Sequence, residues 1–126
     1  MKIVCEISLG ELVDKISILK IKLLNITDQS KIIHVKKEEE VLSKQLDSFK
    51  LAGIEQHLDQ MIEVNSKLWK IEDDIRDKER EKKFDQEFIE LARAVYVTND
   101  ERFKRKNKIN QEYQSQIVEV KSYQEY

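Results

Sequence analysis

Between Ile54 and about Lys82 the sequence contains neither proline nor glycine, and its apolar residues recur every three or four positions. This spacing places them on one face of an α-helix, which would be on the order of 40 Å long at about 1.5 Å per residue. The whole chain has no proline and only 2 glycines, so few residues in it interrupt a helix. These features predict a fold built from long helices.

A capping box predicts where the first helix begins. The Ser8 side chain can accept a hydrogen bond from the Glu11 amide, while the Glu11 carboxylate can reach back to the Ser8 amide. Ile7 and Leu12 hold the apolar positions that flank such a box. We therefore expect the first helix to start at this point.

Turn and cap residues divide the rest of the chain. Gly53 is suited to end a second helix in the left-handed conformation. Asp85 can cap a last helix, which extends from about residue 86 to residue 115. Thr98 and Glu101 repeat the spacing of a capping box, so this last helix is expected to kink or restart there.

The two ends of the chain have strand-like sequences. Residues 2–7, KIVCEI, are short and β-branched, and residues 117–123, IVEVKSY, alternate between apolar and polar. We predict that these segments pair in a small two-stranded β-ribbon. The predicted fold is all-α, an elongated antiparallel bundle of three or four helices with a long helical hairpin, in a single domain spanning residues 1–126.

Charge and composition argue against several classes of protein. The 25 acidic and 23 basic residues are interspersed, so no large field favours nucleic acid or an anionic membrane. The N-terminal sequence is not organised as a signal peptide, and no apolar stretch approaches the roughly 20 residues that span a bilayer. The single cysteine cannot form an internal disulfide. We expect a cytoplasmic protein without a cofactor or a membrane partner.

The basic run ERFKRKNK, residues 101–108, suggests a nucleic-acid surface at first sight. On a helix its charges spread around the circumference instead of lining one side, and neighbouring acids offset them. This distribution disfavours nucleic-acid binding.

The first helix carries more apolar residues than one buried face needs. A helix that is apolar nearly all round is buried on several sides, either at the centre of the fold or in a subunit interface. We predict self-association through the surplus residues, which are Val13, Ile18, Ile21 and Leu24.

Polar residues also fall on the inner sides of the two longest helices. In the segment WKIEDDIRDKE the three aspartates point to solvent, whereas Glu72 and Arg76 are four residues apart at the edge of the apolar face. If the last helix runs antiparallel to this one, Asn65 comes roughly opposite Asn99 and Arg102. Because buried polar groups are costly unless they are paired, these five residues should form a hydrogen-bonded cluster.

Two interpretations of this cluster follow from the pattern. Single buried polar residues fix the register of helices in coiled coils, and the cluster would do the same here. The alternative is a pocket for a small polar or anionic ligand.

Acidic pairs at helical spacing suggest a third class of function. Asp74 with Asp77, and Glu87 with Glu90, resemble the magnesium ligands of all-α nucleotide hydrolases. Asp74, Asp77 and Glu90 point outward on the helical wheel, however, and neither histidine has the Glu-x-x-His spacing of di-iron bundles. We therefore expect no metal site.

Four segments resemble an uncharacterised family of short, helical bacterial and phage proteins, and together they extend over nearly the whole chain. They are ISLGELVDKISIL (7–19), NSKLWKIEDDIRDKE (65–79), FIELARAVYVTNDER (88–102) and KSY (121–123). The resemblance brings no catalytic residues. Members often occur near glycosyltransferases for surface polysaccharide, which implies an accessory role. The most recognisable family positions in this chain are Trp69, Glu72, Asp73, Arg76, Asn99, Asp100 and Arg102.

The sequence thus predicts a non-enzymatic interaction or scaffold protein, homo-oligomeric and accessory to surface-polysaccharide biosynthesis. The alternatives are a protein that binds a small polar or anionic ligand and an all-α magnesium-dependent nucleotide hydrolase. The candidate ligand or register cluster comprises Asn65, Trp69, Glu72, Arg76, Asn99, Asp100 and Arg102.

Overall fold

The computed structural model covers residues 1–126 and contains four helices and no strand. The helices are α1 Leu9–Asn25, α2 Gln29–Ser48, α3 Ile54–Glu81 and α4 Gln86–Glu112. They pack together as a bundle, which confirms the all-α prediction. None of the four helices is both long enough and apolar enough to pass through a lipid bilayer.

Two of the predicted helix caps are present. The Glu11 amide donates to Ser8 Oγ at 3.1 Å, and the Phe88 amide donates to Asp85 Oδ1 at 3.0 Å. The Glu11 side chain does not return to the Ser8 amide, because its carboxylate lies 2.8 Å from Lys106 Nζ instead. A long-range ion pair therefore replaces the second half of the capping box.

Gly53 does not end α2 as predicted. That helix ends at Ser48, and the left-handed residue that follows it is Lys50, with φ of 50°. Gly53 has φ of 81° and lies immediately before α3. The loop between these helices is tied to the end of α4, because the Tyr113 hydroxyl donates to the carbonyl of Ala52 at 2.6 Å.

α4 is continuous, so the kink predicted at the TNDE segment is absent. Thr98 is buried in the middle of the helix, where the backbone bonds of α4 continue through it. Continuing the helix keeps Asn99 and Arg102 in register with the inner side of the bundle. Tertiary packing therefore overrides the local capping signal.

The predicted β-ribbon is wrong, because no strand forms at either end of the chain. Residues 1–7 are exposed, and residues 116–126, which we call the tail, run back along α4. Glu119 lies 2.6 Å from Lys106 Nζ, and the Tyr126 hydroxyl donates to Asp100 Oδ2 at 2.5 Å. The side chains of the tail thus find partners on a helix instead of pairing with residues 2–7.

The core forms around α1. This helix packs against each of the other three, α3 packs against α4, and α2 makes its helix contacts with α1 alone. Ion pairs link Lys78 with Glu87 and Lys67 with Glu101, so α3 and α4 run in opposite directions. The main buried apolar cluster comprises Leu12, Val13, Ile16, Leu46, Ile54, Met61, Val64 and Ile109.

The central position of α1 corrects the predicted subunit surface. Val13 and Ile21 are 0% and 2% exposed, so both belong to the interior of the chain. Ile18 is half-buried, and only Leu24, at 83%, is strongly exposed. The apolar surplus of α1 is explained by the three helices that surround it, so α1 is the central helix of the fold.

The helix pair α3–α4 extends beyond α1. At about 1.5 Å per residue, α1 is ~25 Å long and α3 is ~42 Å long. Every buried residue of α3 lies between Ile54 and Asn65, and every buried residue of α4 lies between Thr98 and Asn110. The remainder, residues 66–97, contains no buried residue, and we call it the distal segment.

Gly10 marks a close approach of α1 to α4 that yields a test of this packing. A Cβ added to Gly10 would lie 2.5 Å from the Lys106 carbonyl oxygen, which is backbone and cannot move aside easily. Gly10→Ala should lower the free energy of unfolding by about 1–3 kcal/mol in urea denaturation. Helix propensity alone predicts the opposite sign, a gain of up to about 1 kcal/mol.

Ser66→Ala is the control for that measurement. Ser66 is exposed on α3, so its replacement changes only the local propensity. A Gly10→Ala protein at least as stable as the control would contradict the close packing of α1 on α4.

Candidate functional site

A carboxylate from α1 lies at the centre of the polar interior. Asp14 is 1% exposed. Arg102 donates to both of its oxygens, from Nε at 2.9 Å and from Nη2 at 2.5 Å, and Asn65 Nδ2 donates to Oδ1 at 2.8 Å. The three side chains come from α1, α4 and α3 respectively, so the contact joins three helices at one point.

Ser17, one turn along α1, completes this group. Its hydroxyl accepts a hydrogen bond from Asn65 Nδ2 at 2.7 Å and donates to the backbone carbonyl of Asp14 at 2.6 Å. Both Asp14 and Ser17 are fully buried, and their polar atoms are satisfied by neighbours. Burial of a charge is tolerated in proteins when it is paired and hydrogen-bonded in this way.

The ion pair with Asp14 also stabilises the charged form of Arg102. The hydrogen bonds that Arg102 donates to Asp14 raise the pKa of its guanidinium, although partial burial acts in the opposite direction. The two groups form a side-on pair of parallel N–H···O bonds, which is a strong and geometrically specific arrangement. Arg102 is therefore held in one orientation.

Lys106 forms a second buried ionic group one turn further along α4. Its Nζ lies 2.8 Å from Glu11 and 2.6 Å from Glu119, and 3.9 Å from Asp14. Burial would lower the pKa of Lys106, but its contacts with Glu11 and Glu119 outweigh that effect and raise the pKa. This lysine thus connects the start of α1 with the tail.

Asn110 on α4 is a further buried polar residue, and it contacts the first turn of α1. Its Oδ1 accepts a hydrogen bond from the Gly10 amide at 2.7 Å, and its Nδ2 has no partner in the chain. The Gly10 amide belongs to the first turn of a helix, where backbone donors lack intrahelical acceptors. Asn110 on α4 therefore acts as a cap for the first turn of α1, although the two are far apart in sequence.

Five residues of the sequence-predicted cluster line one cavity. It has a volume of about 310 Å³ and opens between α1, α3 and α4. It lies beside the ion pair between Asp14 and Arg102, which we call the Asp14 pair. Glu72 and Arg76 form an ion pair of 2.7 Å at its edge. The five residues are Asn65, Trp69, Glu72, Arg76 and Arg102.

The other two residues of the predicted cluster lie elsewhere. Asn99 and Asp100 line a groove of about 990 Å³ between α4 and the tail. Asn99 Oδ1 remains within 3.5 Å of Arg102 Nη1, whereas Asp100 accepts a hydrogen bond from Tyr126. That hydrogen bond raises the pKa of the Tyr126 phenol to about 12. Asp100 therefore holds the tail and does not belong to the cavity.

Three of the four acids considered as magnesium ligands form ion pairs with basic side chains. Asp74 lies 3.0 Å from Lys70, and Asp77 pairs with Arg80. Glu87 lies 2.8 Å from Lys78. No three His, Cys, Asp or Glu side chains come together in a way that could hold a metal ion.

Sequence reasoning missed Asp14, Ser17 and the partners of Lys106. A signal was present, because Gly10, Asp14 and Ser17 are spaced four and three residues apart on one face of α1. On α4, polar residues occur at every fourth position of the buried face, namely Thr98, Arg102, Lys106 and Asn110. Matching two polar rows on different helices would have paired the Asp14 carboxylate with the Arg102 guanidinium.

The contribution of the Asp14 pair to the stability of the fold can be tested by mutation. Asp14→Asn keeps the shape of the side chain but removes the carboxylate, so the Arg102 charge is left partly buried without its partner. We expect the free energy of unfolding to fall by about 3–5 kcal/mol in urea denaturation. Asp73→Asn removes an exposed carboxylate of the cavity edge and should leave stability unchanged. Equal stability of the two variants would contradict the role given to Asp14.

The ion pair between Glu119 and Lys106 predicts a dependence of stability on pH. Burial would raise the pKa of Glu119, but its contacts with Lys106 lower it below the ordinary value of 4.5. A carboxyl group whose folded-state pKa is lowered stabilises the fold above its unfolded pKa, and this contribution is lost as pH falls through the folded pKa. Glu119→Gln should therefore be less stable than the parent protein at pH 7, and the difference should shrink below about pH 4.5.

Thermal denaturation of the parent and Glu119→Gln proteins between pH 3 and pH 7 measures this difference. A gap between the two melting temperatures that is constant across that range would show that Glu119 does not act through its charge.

Comparison with known proteins assigns the chain to a family. Residues 1–126, the entire sequence, match the model of a family of unknown function, DUF6165. No curated protein and no solved structure matches the chain. This full-length match agrees with the resemblance noted in the sequence. The chain therefore belongs to DUF6165, a family of unknown function.

Proposed function

We propose that this chain is a non-enzymatic interaction protein that self-associates through its distal segment, residues 66–97. The observation that carries the proposal is the incomplete burial of this part of the α3–α4 pair. Its inner apolar residues are all half-buried. α1 lies beside Leu68 and Trp69 and ends at Asn25, which lines a cavity with Asp74, so only two helices meet beyond that point. The inner apolar residues are Leu68 and Trp69, which border α1, followed by Ile71, Ile75, Phe88, Leu91, Ala92 and Val95.

Two helices alone bury apolar surface poorly, and a third or fourth helix is needed to enclose a core. In the other half of the pair α1 supplies that cover, and Met61, Val64 and Ile109 are buried as a result. Beyond Asp74 the distal segment has the same kind of inner residues without the covering helix. Burial of apolar surface is the main favourable contribution to association, so a partner helix pair would be stabilised here.

Further apolar side chains of α4 are exposed on the outside of the distal segment. Ile89 is 48% exposed and Val97 is 38% exposed, and their separation of eight residues places them on one face of the helix. Phe84, in the turn before α4, is also exposed and packs edge-to-face on Phe88. The apolar surface therefore continues from the inner side of the pair around one flank.

The partner that best fits is a second copy of this chain. Acids and bases are interspersed along residues 66–97 in nearly equal numbers, so two copies of the segment can meet without a large net repulsion. Two α3–α4 pairs, each acting as a long helical hairpin, would complete a four-helix bundle with twofold symmetry. An accessory role of this assembly in surface-polysaccharide synthesis rests on the family resemblance alone.

Sedimentation velocity tests the proposal directly. The parent protein should sediment as a dimer at high micromolar concentration, and Ile89→Glu should shift it toward the monomer, because the substitution places a charge in the apolar contact. Since Ile89 is exposed in the single chain, circular dichroism should show the same helix content for the parent and the variant.

The matched control is Ile33→Glu on the outer face of α2, where the side chain is 66% exposed. This control should leave the dimer intact. A parent protein that is monomeric at all these concentrations, or a dimer that Ile33→Glu dissociates and Ile89→Glu does not, would overturn the proposal.

A further inference from the structure

The cavity of about 310 Å³ beside the Asp14 pair is lined by both apolar and polar side chains. Its apolar wall includes Ile18 from α1 and Leu68 and Trp69 from α3. Its polar side includes Asn65 and Arg102, both held in place by the fully buried Asp14. A small, partly apolar cavity with a few fixed polar groups is typical of sites for small ligands.

Asn65 presents an unpaired acceptor to this cavity. Its Nδ2 donates to Asp14 Oδ1 and to Ser17 Oγ, and because a carboxylate only accepts hydrogen bonds, the amide cannot be turned the other way. Its Oδ1 has no hydrogen-bond partner within the chain, although Asn65 is only 5% exposed. Asn65 is one of the residues that line the cavity, so its Oδ1 is available as an acceptor for a bound donor.

Arg102 presents the complementary donors. Asp14 occupies the edge formed by Nε and Nη2, which leaves the edge formed by Nη1 and Nη2 for another group. On that edge the only protein contact is a long one, 3.5 Å from Nη1 to Asn99 Oδ1. A guanidinium edge of this kind binds a carboxylate through two parallel hydrogen bonds.

Positively and negatively charged side chains both line the cavity. Arg76 and Glu72 pair with each other at 2.7 Å, and Asp73 makes no ion pair within the chain. Together with Asn65 Oδ1, these carboxylates can accept hydrogen bonds from an ammonium group. A ligand with a single charge would face repulsion from one of the two sets, whereas a ligand with both charges is matched by the cavity.

We propose that this cavity binds a free α-amino acid with an apolar side chain. Its carboxylate would contact the free edge of Arg102, its ammonium group would donate to Asn65 Oδ1 and Glu72, and its side chain would pack against Trp69. This inference goes beyond self-association, because its contacts all lie within one chain.

Trp69 is the single tryptophan of the sequence, so its fluorescence reports on the cavity. L-leucine is the probe, with isoamylamine and 4-methylpentanoate as analogues that lack the carboxylate and the ammonium group. L-leucine should produce a saturable change in emission, and each analogue should bind at least about tenfold more weakly, because a charged partner in the cavity is then left unpaired. Absence of a saturable change with L-leucine, or equal affinity for all three compounds, would overturn the proposal.

Variants separate binding in the cavity from binding elsewhere. Ile18→Phe fills the cavity and should abolish the response to L-leucine, whereas Ile33→Phe makes the same change on the exposed face of α2 and should not. Glu72→Gln leaves the Asp14 pair untouched, and it should weaken L-leucine binding while leaving the weak binding of 4-methylpentanoate unchanged. An unaltered response to L-leucine in both Ile18→Phe and Glu72→Gln would show that the cavity is not the site.

Ile89→Glu distinguishes this inference from the proposed function. If the amino-acid site is real, the Ile89→Glu protein binds L-leucine with the affinity of the parent protein, whether or not the parent protein self-associates. If binding is lost in Ile89→Glu, the site is a property of the assembly, and the single-chain cavity proposed here is refuted.

Discussion

The side-on pair between Asp14 and Arg102 is the contact on which the interior of this bundle depends. A carboxylate that is 1% exposed must be paired, and its two oxygens accept from Arg102 on α4 and from Asn65 on α3. Sliding any one of the three helices by a turn would break these bonds and leave a buried charge alone. Apolar packing would permit several such alignments, so the polar contact selects one of them.

The length of α1 divides the molecule into two halves with different character. Where α1 lies against α3 and α4, the chain has a buried apolar cluster and a row of buried polar side chains. Beyond the end of α1, the same two helices continue without a covering element, and their apolar residues are half-buried. The proposals for self-association and for ligand binding follow from this division, since one concerns the uncovered half and the other the boundary between the halves.

Fixing the register and binding a ligand are compatible roles for the polar interior. The hydrogen bonds that hold Asn65 and Arg102 in place use one amide nitrogen and one edge of the guanidinium. The remaining carbonyl oxygen and guanidinium edge are oriented by those same bonds, and both residues line the cavity. A ligand would therefore meet groups that are already held in position, which lowers the entropic cost of binding.

The sequence by itself determined the features that depend on neighbours along the chain. Helix periodicity, the Ser8 and Asp85 caps and the inward positions of Asn65 and Arg102 all follow from bonds and spacings within a few residues. Only the tertiary structure decided which competing local signal prevailed. The strand-like tail pairs with α4, the Thr98 cap is unused, and Val13 and Ile21 are core residues because three helices surround α1. Asp14 and Arg102 are 88 positions apart in the sequence, so no local sequence pattern predicts their contact.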